Sequence, residues 1–108
     1  MRQIKTEYLR CVVEQCPIVD LWSAEVIFGE LVGNAIRHAG GEICISLHES
    51  SDNVVLGVRD RSSVLPQTPL HDGLDDHGRG LTLVNMLAPR VFVSVDSRVK
   101  EVLAELPK

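Results

Sequence analysis

Residues 30–39 read ELVGNAIRHA, and this stretch decides the fold prediction because one helix here carries both an apolar face and a polar stripe. The helical pattern extends over residues 23–39, and its apolar positions recur every fourth residue. These positions are Ile27, Leu31, Ala35 and Ala39. Asp20 or Ser23 can cap the start, and a glycine pair ends the helix. The pattern predicts a helix that packs on a sheet.

The rest of the chain predicts an α+β fold. Its further elements are a helix at about 5–15, strands at 42–49 and 53–60, a helix at 80–88, and strands at 90–95 and 100–106. Residues 61–77 contain two prolines and show neither period, which predicts a long functional loop. Paired strands beside helices predict a two-layer α/β sandwich, with three helices on one face of a mostly antiparallel mixed sheet. We expect one domain over residues 1–108.

Composition excludes several function classes. The 108 residues carry 11 basic and 15 acidic side chains, a net charge of −4, and only 4% aromatics. This balance argues against a nucleic-acid groove. No stretch is apolar over the roughly 20 residues that span a membrane, and the start MRQIKTEYLR lacks a signal-peptide core, so we expect a cytoplasmic protein.

The three cysteines are Cys11, Cys16 and Cys44, and no C-x-x-C pair occurs. An odd number without metal-type spacing argues against a disulfide framework and a zinc site. We therefore expect them to be small buried hydrophobes.

The first candidate site is the polar stripe Glu30, Asn34 and His38, spaced i, i+4, i+8. A carboxylate can accept a proton from a hydroxyl or water, and a carboxamide oxygen one turn away is a hard ligand for Mg²⁺. On spacing alone, the alternative is the solvated side of an amphipathic helix.

The second candidate is Asp60, at the end of an apolar strand and the mouth of the long loop. An ionised carboxylate accepts hydrogen bonds and never donates them, so it suits the exocyclic amine of adenine. Guanine carries an oxygen at the corresponding position, so such a carboxylate would also discriminate between purines. The alternative is a common turn-forming Asp.

The third candidate is the segment HGRGL at 77–81. Glycines allow a ligand to approach the backbone, N–H groups at a helix start attract anions, and Arg79 could contact a phosphate. A flexible hinge before the helix explains the same residues about as well.

In chain order, the segments ELVGNAIRHA, VRDRSSVLP and HGRGLTLVNML resemble the N, G1 and G2 boxes of the histidine-kinase-like (GHKL) ATPases. They resemble in particular the short anti-sigma-factor serine/threonine kinases. The resemblance extends over nearly the whole chain from Trp22 onward and implies the Bergerat ATP-binding fold.

The resemblance also implies roles for individual residues. Glu30 corresponds to the general base, Asn34 to the Mg²⁺ ligand and Asp60 to the carboxylate that binds the adenine amine. Residues 61–77 correspond to the ATP lid. The other implied ATP-binding residues are Arg37, His38, Ser62, Gly78, Arg79, Gly80 and Leu81.

The implied activity is transfer of the γ-phosphate of Mg²⁺-ATP to a small antagonist protein. The implied partners are that antagonist and a sigma factor. The resemblance leaves open whether the chain also forms a homodimer. Ser62 departs from the family's D-x-G pattern, which has glycine at this position. The alternative function is therefore a non-catalytic ATP-sensing module that acts through protein contacts.

Overall fold

The computed structural model describes residues 2–38, 42–50, 53–61, 76–96 and 99–108. Its elements are α1 (Arg2–Gln15), α2 (Leu21–His38), β1 (Ile43–Ser50), β2 (Asn53–Asp60), α3 (Asp76–Leu87), β3 (Val91–Asp96) and β4 (Val99–Glu105). The predicted α+β order is confirmed, and β2 has its predicted bounds. None of the helices in these ranges is long and apolar enough to cross a bilayer.

The four strands form one sheet in the order β1-β2-β4-β3. All three pairings among the described residues are antiparallel, as expected of a mostly antiparallel sheet. Because β4 lies between β2 and β3, it is a central strand. Asp60, the last residue of β2, is therefore flanked by Ile43 of β1 and Lys100 of β4.

The core lies between the helices and one face of the sheet. Successive strand side chains point to opposite faces, so Leu56 and Val58 of β2 and Val102 and Ala104 of β4 are all buried. The buried face of α2 covers them, and α2 also contacts α1 and α3. The helix singled out by the sequence is therefore central to the fold.

Tyr8 fixes α1 against α2. Its phenol donates a 2.8 Å hydrogen bond to the carbonyl of Ala24, and its ring stacks on Phe28 with centroids 4.5 Å apart. Burial raises the pKa of the Tyr8 phenol, so the group stays a donor. Near the surface, Lys5 Nζ lies 2.9 Å from Glu25 Oε2.

Asp20 organises the start of α2. The helix begins at Leu21, and the Asp20 carbonyl accepts a 2.9 Å bond from the Ala24 N–H. The Asp20 carboxylate accepts a 2.8 Å bond from the Ser23 hydroxyl, so the two predicted cap residues interact with each other. The Asp20 N–H donates to the carbonyl of Pro107 at 2.9 Å, which joins the helix start to the segment after β4.

The prediction of buried cysteines is wrong. Cys11 and Cys16 are half-buried, Cys44 is exposed, and all three are free thiols. Alternation along β1 explains Cys44, because its neighbours Ile43 and Ile45 pack against the core and Cys44 points to the opposite face.

Candidate functional site

The polar stripe of α2 lies beside the packed face of the helix. Glu30 and Asn34 are both half-buried, and Leu31 and Ala35, which follow them in sequence, belong to the core. The two polar residues are one helical turn apart, so their side chains project from the same side. This places a carboxylate and a carboxamide together at the margin of the core.

The most exposed line along α2 is a different one. Trp22, Gly29 and Ile36 are exposed at seven-residue spacing, and Trp22 is 65% accessible. The solvated-side alternative therefore fits this line better than it fits Glu30 and Asn34. Arg37 is exposed in the last turn of α2, and His38 ends the helix with its side chain outside the described residues.

Asp60 is buried at the end of β2, with only 2% of its surface accessible. It is the last residue of a strand that is paired on both sides, which does not fit the turn-forming alternative. Its Oδ2 lies 3.6 Å from Nζ of Lys100, its register partner on β4. The carboxylate expected to recognise a base is therefore already next to a cation.

Sequence reasoning missed Lys100. The signal was present, because Lys100 continues the two-residue period of Val102, Ala104 and Leu106, all of which are buried. A residue in that series faces the helices, so a buried lysine requires a partner. The cross-strand position of Asp60 supplies one.

A cavity of about 200 Å³ opens at this end of the sheet. Its lining residues are Glu42, Cys44, Arg59, Asp60, Arg61 and Val99. Cys44, Arg59 and Val99 alternate with core-facing residues along their strands, so the cavity lies mainly on the sheet face opposite to α2 and does not adjoin Glu30 and Asn34. Arg61, the first residue of the expected lid, is exposed. Ser62 and residues 63–75 lie outside the described residues.

The glycine segment lies inside a helix rather than before it. α3 begins at Asp76, whereas the sequence predicted a helix from Gly80, so the predicted start is wrong by four residues. Gly78, Arg79, Gly80 and Leu81 thus lie in the first two turns, and their side chains are outside the description. Each glycine lowers helix propensity by about 1 kcal/mol, and for this reason the predicted boundary lay after the two glycines. The observed helix starts at Asp76, and an acidic residue at the first position favours a helix start.

The elements that carry the three candidate segments meet at α2. This helix packs against α3, which begins with the glycine segment, and against β2, which ends at Asp60. The fold therefore brings the N-box helix into contact with both other candidate elements. Among the described side chains, no group of three His, Cys, Asp or Glu residues could hold a metal ion by itself.

Comparisons with known proteins agree with this architecture. A family model described as the histidine kinase-like ATPase domain matches residues 1–104. Among solved structures, the Acinetobacter baumannii histidine kinase AdeS is similar, with a TM-score of 0.59 and 23% identity. The match covers 82% of this chain and 47% of that chain, so this chain spans about half the length of that structure. At this identity the likeness concerns the fold alone. No curated protein matches this chain.

Proposed function

The chain belongs to the histidine kinase-like ATPase domain family, and on this basis we propose that it is a cytoplasmic regulatory protein that binds Mg²⁺-ATP. Its activity is that of a serine/threonine kinase of the anti-sigma-factor type. The acceptor is a hydroxyl of a small antagonist protein, and a sigma factor is the second partner.

The placement of Glu30 and Asn34 is the observation that carries the proposal. Both side chains are half-buried, one turn apart, on a helix held between α3 and β2. Such a helix is a rigid support, which phosphoryl transfer requires because its catalysis consists mainly of positioning and charge neutralisation.

The donor set fits Mg²⁺-ATP. The carboxamide oxygen of Asn34 is a hard neutral ligand, and Mg²⁺ is commonly held by few protein oxygens together with substrate phosphates. When bound, the metal neutralises charge on the phosphates. In the proposed site Asp60 accepts a hydrogen bond from the base, and N–H groups of the first turn of α3 bind phosphate oxygens, with Arg79 as an additional donor.

In the proposed transfer, Glu30 accepts the proton of the acceptor hydroxyl. The hydroxyl oxygen forms a bond to the γ-phosphorus while the bond to the β–γ bridging oxygen breaks. The products are a phosphoserine or phosphothreonine and ADP. Arg37 and His38, in the last turn of α2, are the proposed additional phosphate contacts.

Calorimetric titration with ATP tests the binding step, with and without Mg²⁺. We expect Asn34→Ala to lose the affinity gained from Mg²⁺. Glu30→Gln should retain ATP binding, because the proton acceptor acts only during transfer. Glu25→Gln is the matched control, since Glu25 lies on the same helix in an ion pair with Lys5.

Radiolabel transfer from γ-labelled ATP to co-encoded antagonist candidates tests the chemical step. Glu30→Gln should reduce transfer by about 100-fold or more, the usual scale for a proton-transfer group, while Glu25→Gln does not. Equal transfer by Glu30→Gln and the native protein would remove the assigned role. ATP binding without transfer to any candidate would instead assign the ATP-sensing module, and no binding at millimolar ATP would overturn the proposal.

A further inference from the structure

Lys100 of β4 and Asp60 of β2 form a buried ion pair between neighbouring strands. They are register partners on adjacent central strands, and each side chain is only 2% accessible. Lys100 Nζ lies 3.6 Å from Asp60 Oδ2. A group that forms a hydrogen bond to this carboxylate therefore comes close to the ammonium group as well.

We propose that Lys100 is a specificity-determining residue of the base site, which together with Asp60 accepts both adenine and guanine. The site then takes purine nucleoside triphosphates as a class. This inference rests on the proposed function, in which the base of the nucleotide lies against Asp60.

The argument comes from the hydrogen-bonding capacity of the two side chains. An ionised carboxylate only accepts hydrogen bonds, and an ammonium group only donates them. Together they present an acceptor beside a donor. Adenine matches this pattern with its N6 amine and N1, and guanine matches it with its N1–H and O6. Both bases can therefore satisfy both side chains.

Asp60 by itself would discriminate between these bases. The guanine O6 would face a carboxylate that has no proton to donate, and an unsatisfied buried acceptor weakens binding. The Lys100 ammonium removes this mismatch by donating to O6. With Lys100 present, the site no longer disfavours guanine. It accepts any purine whose edge has a hydrogen-bond donor next to an acceptor.

A purely structural role is a weaker explanation of this lysine. Lys100 begins a row of inward-facing residues that continues with Val102, Ala104 and Leu106. Apolar residues in place of a buried ion pair are often neutral or stabilising, so packing alone does not require a cation here. An apolar side chain could not donate a hydrogen bond to a base that is bound by the neighbouring carboxylate.

Calorimetry of the full chain with Mg²⁺-ATP, Mg²⁺-GTP and Mg²⁺-ITP tests the inference. We expect GTP and ITP to bind within about tenfold of ATP, because each offers O6 beside N1–H. Lys100→Met should raise the preference for ATP over GTP by about tenfold, the effect of one unsatisfied buried acceptor. The ratio of affinities is decisive because a lost positive charge weakens binding of both triphosphates alike.

Two further variants serve as controls. Lys5→Met makes the same chemical change at an exposed ion pair on α1 and should leave the ATP-to-GTP ratio unchanged. Lys100→Arg keeps a cationic donor and should change the ratio less than Lys100→Met does. If Lys100→Met does not fold, the ATP-to-GTP ratio of the native protein still tests whether the site accepts both bases.

The outcomes separate the inference from the proposed function. A preference of the native protein for ATP over GTP of more than about tenfold overturns the inference but leaves ATP binding intact. A Lys100→Met ratio within about threefold of the native one does the same. If the native protein binds none of the three triphosphates, the proposed function fails, and the inference fails with it.

Discussion

The ring of Tyr8 in α1 stacks on Phe28 of α2, and its hydroxyl donates to the carbonyl of Ala24 one turn earlier. Burial raises the pKa of this phenol above its ordinary value of 10.0. The phenol therefore ionises at lower pH in the unfolded chain than in the folded one. Its contribution is complete below pH 10, and we expect stability to fall as the pH rises above 10, by up to about 1.4 kcal/mol per pH unit from this group.

Urea unfolding at a series of pH values from 8 to 11 measures this effect, and Tyr8→Phe is the control. Tyr8 is the only tyrosine of the chain, so the substitution removes all phenol titration. Lysine titration is common to both proteins and cancels in the comparison. Equal slopes above pH 10 for both proteins would contradict the assignment.

Two glycines should respond to alanine in opposite directions. A Cβ at Gly57 in β2 would lie 2.8 Å from Ser46 Oγ and 3.0 Å from Leu103 Cδ2. Gly57→Ala should therefore cost about 1–3 kcal/mol through overpacking. A Cβ at Gly29 in α2 would meet nothing within 4 Å, so Gly29→Ala should stabilise the protein by up to about 1 kcal/mol through helix propensity.

The midpoints of urea unfolding compare the two glycine variants directly. Ser46→Ala in the Gly57→Ala background should recover part of the loss, because it removes the nearest contact. A Gly57→Ala protein as stable as the native one would show that this part of the sheet adjusts without cost.

Breaking the ion pair between Asp60 and Lys100 should strongly destabilise the folded protein. Asp60→Ala leaves the Lys100 ammonium without this partner in a site that is 2% accessible, and we expect a loss of about 3–5 kcal/mol. The double variant Asp60→Ala with Lys100→Met removes both charges and should be more stable than Asp60→Ala alone. Chemical denaturation of the single and double variants gives the coupling energy. Additive effects would mean that the two charges do not stabilise each other.

The cap of α2 gives a smaller effect. Asp20→Ala removes the carboxylate that accepts the Ser23 hydroxyl at the helix start and should cost about 1 kcal/mol. Asp20→Asn retains an acceptor and should lose only a few tenths, since both residues are good N-caps. Thermal unfolding ranks the three proteins, and equal losses for both variants would attribute the effect to charge rather than to the hydrogen bond.

The sequence predicted most of the fold because its main elements have clear periods. The four-residue spacing in α2 and the alternation in β2 predicted a helix and a strand correctly. The predicted ends of β2 are also those of the structure. The start of α3 was missed because two glycines in its first turns oppose helix formation locally, and the packing of α3 on α2 outweighs this.

The candidate site was less accessible to sequence reasoning. Glu30, Asn34 and Asp60 stand out by residue type and spacing, whereas the period of β4 marks Lys100 as inward-facing but only the pairing of β2 with β4 identifies its partner. That pairing joins residues 40 positions apart in sequence, which no local pattern encodes. The prediction for Cys44 was wrong for a different reason: alternation with Ile43 and Ile45 already places Cys44 on the opposite face of β1, and the prediction considered residue type alone.

The hydrogen bond between Asp20 and Pro107 has a consequence for synthesis on the ribosome. Asp20 directly precedes α2, the helix that carries Glu30 and Asn34. The carbonyl that accepts the Asp20 N–H belongs to a residue that is translated 87 residues later. Leu106, whose side chain is buried, likewise donates its N–H to the carbonyl of Val54, which precedes it by 52 residues. Because these contacts join distant parts of the chain, closing them carries the entropy cost of a long loop. While residue 107 is still inside the exit tunnel, the Asp20 N–H lacks this acceptor, so the start of α2 is completed only after the segment that follows β4 has emerged.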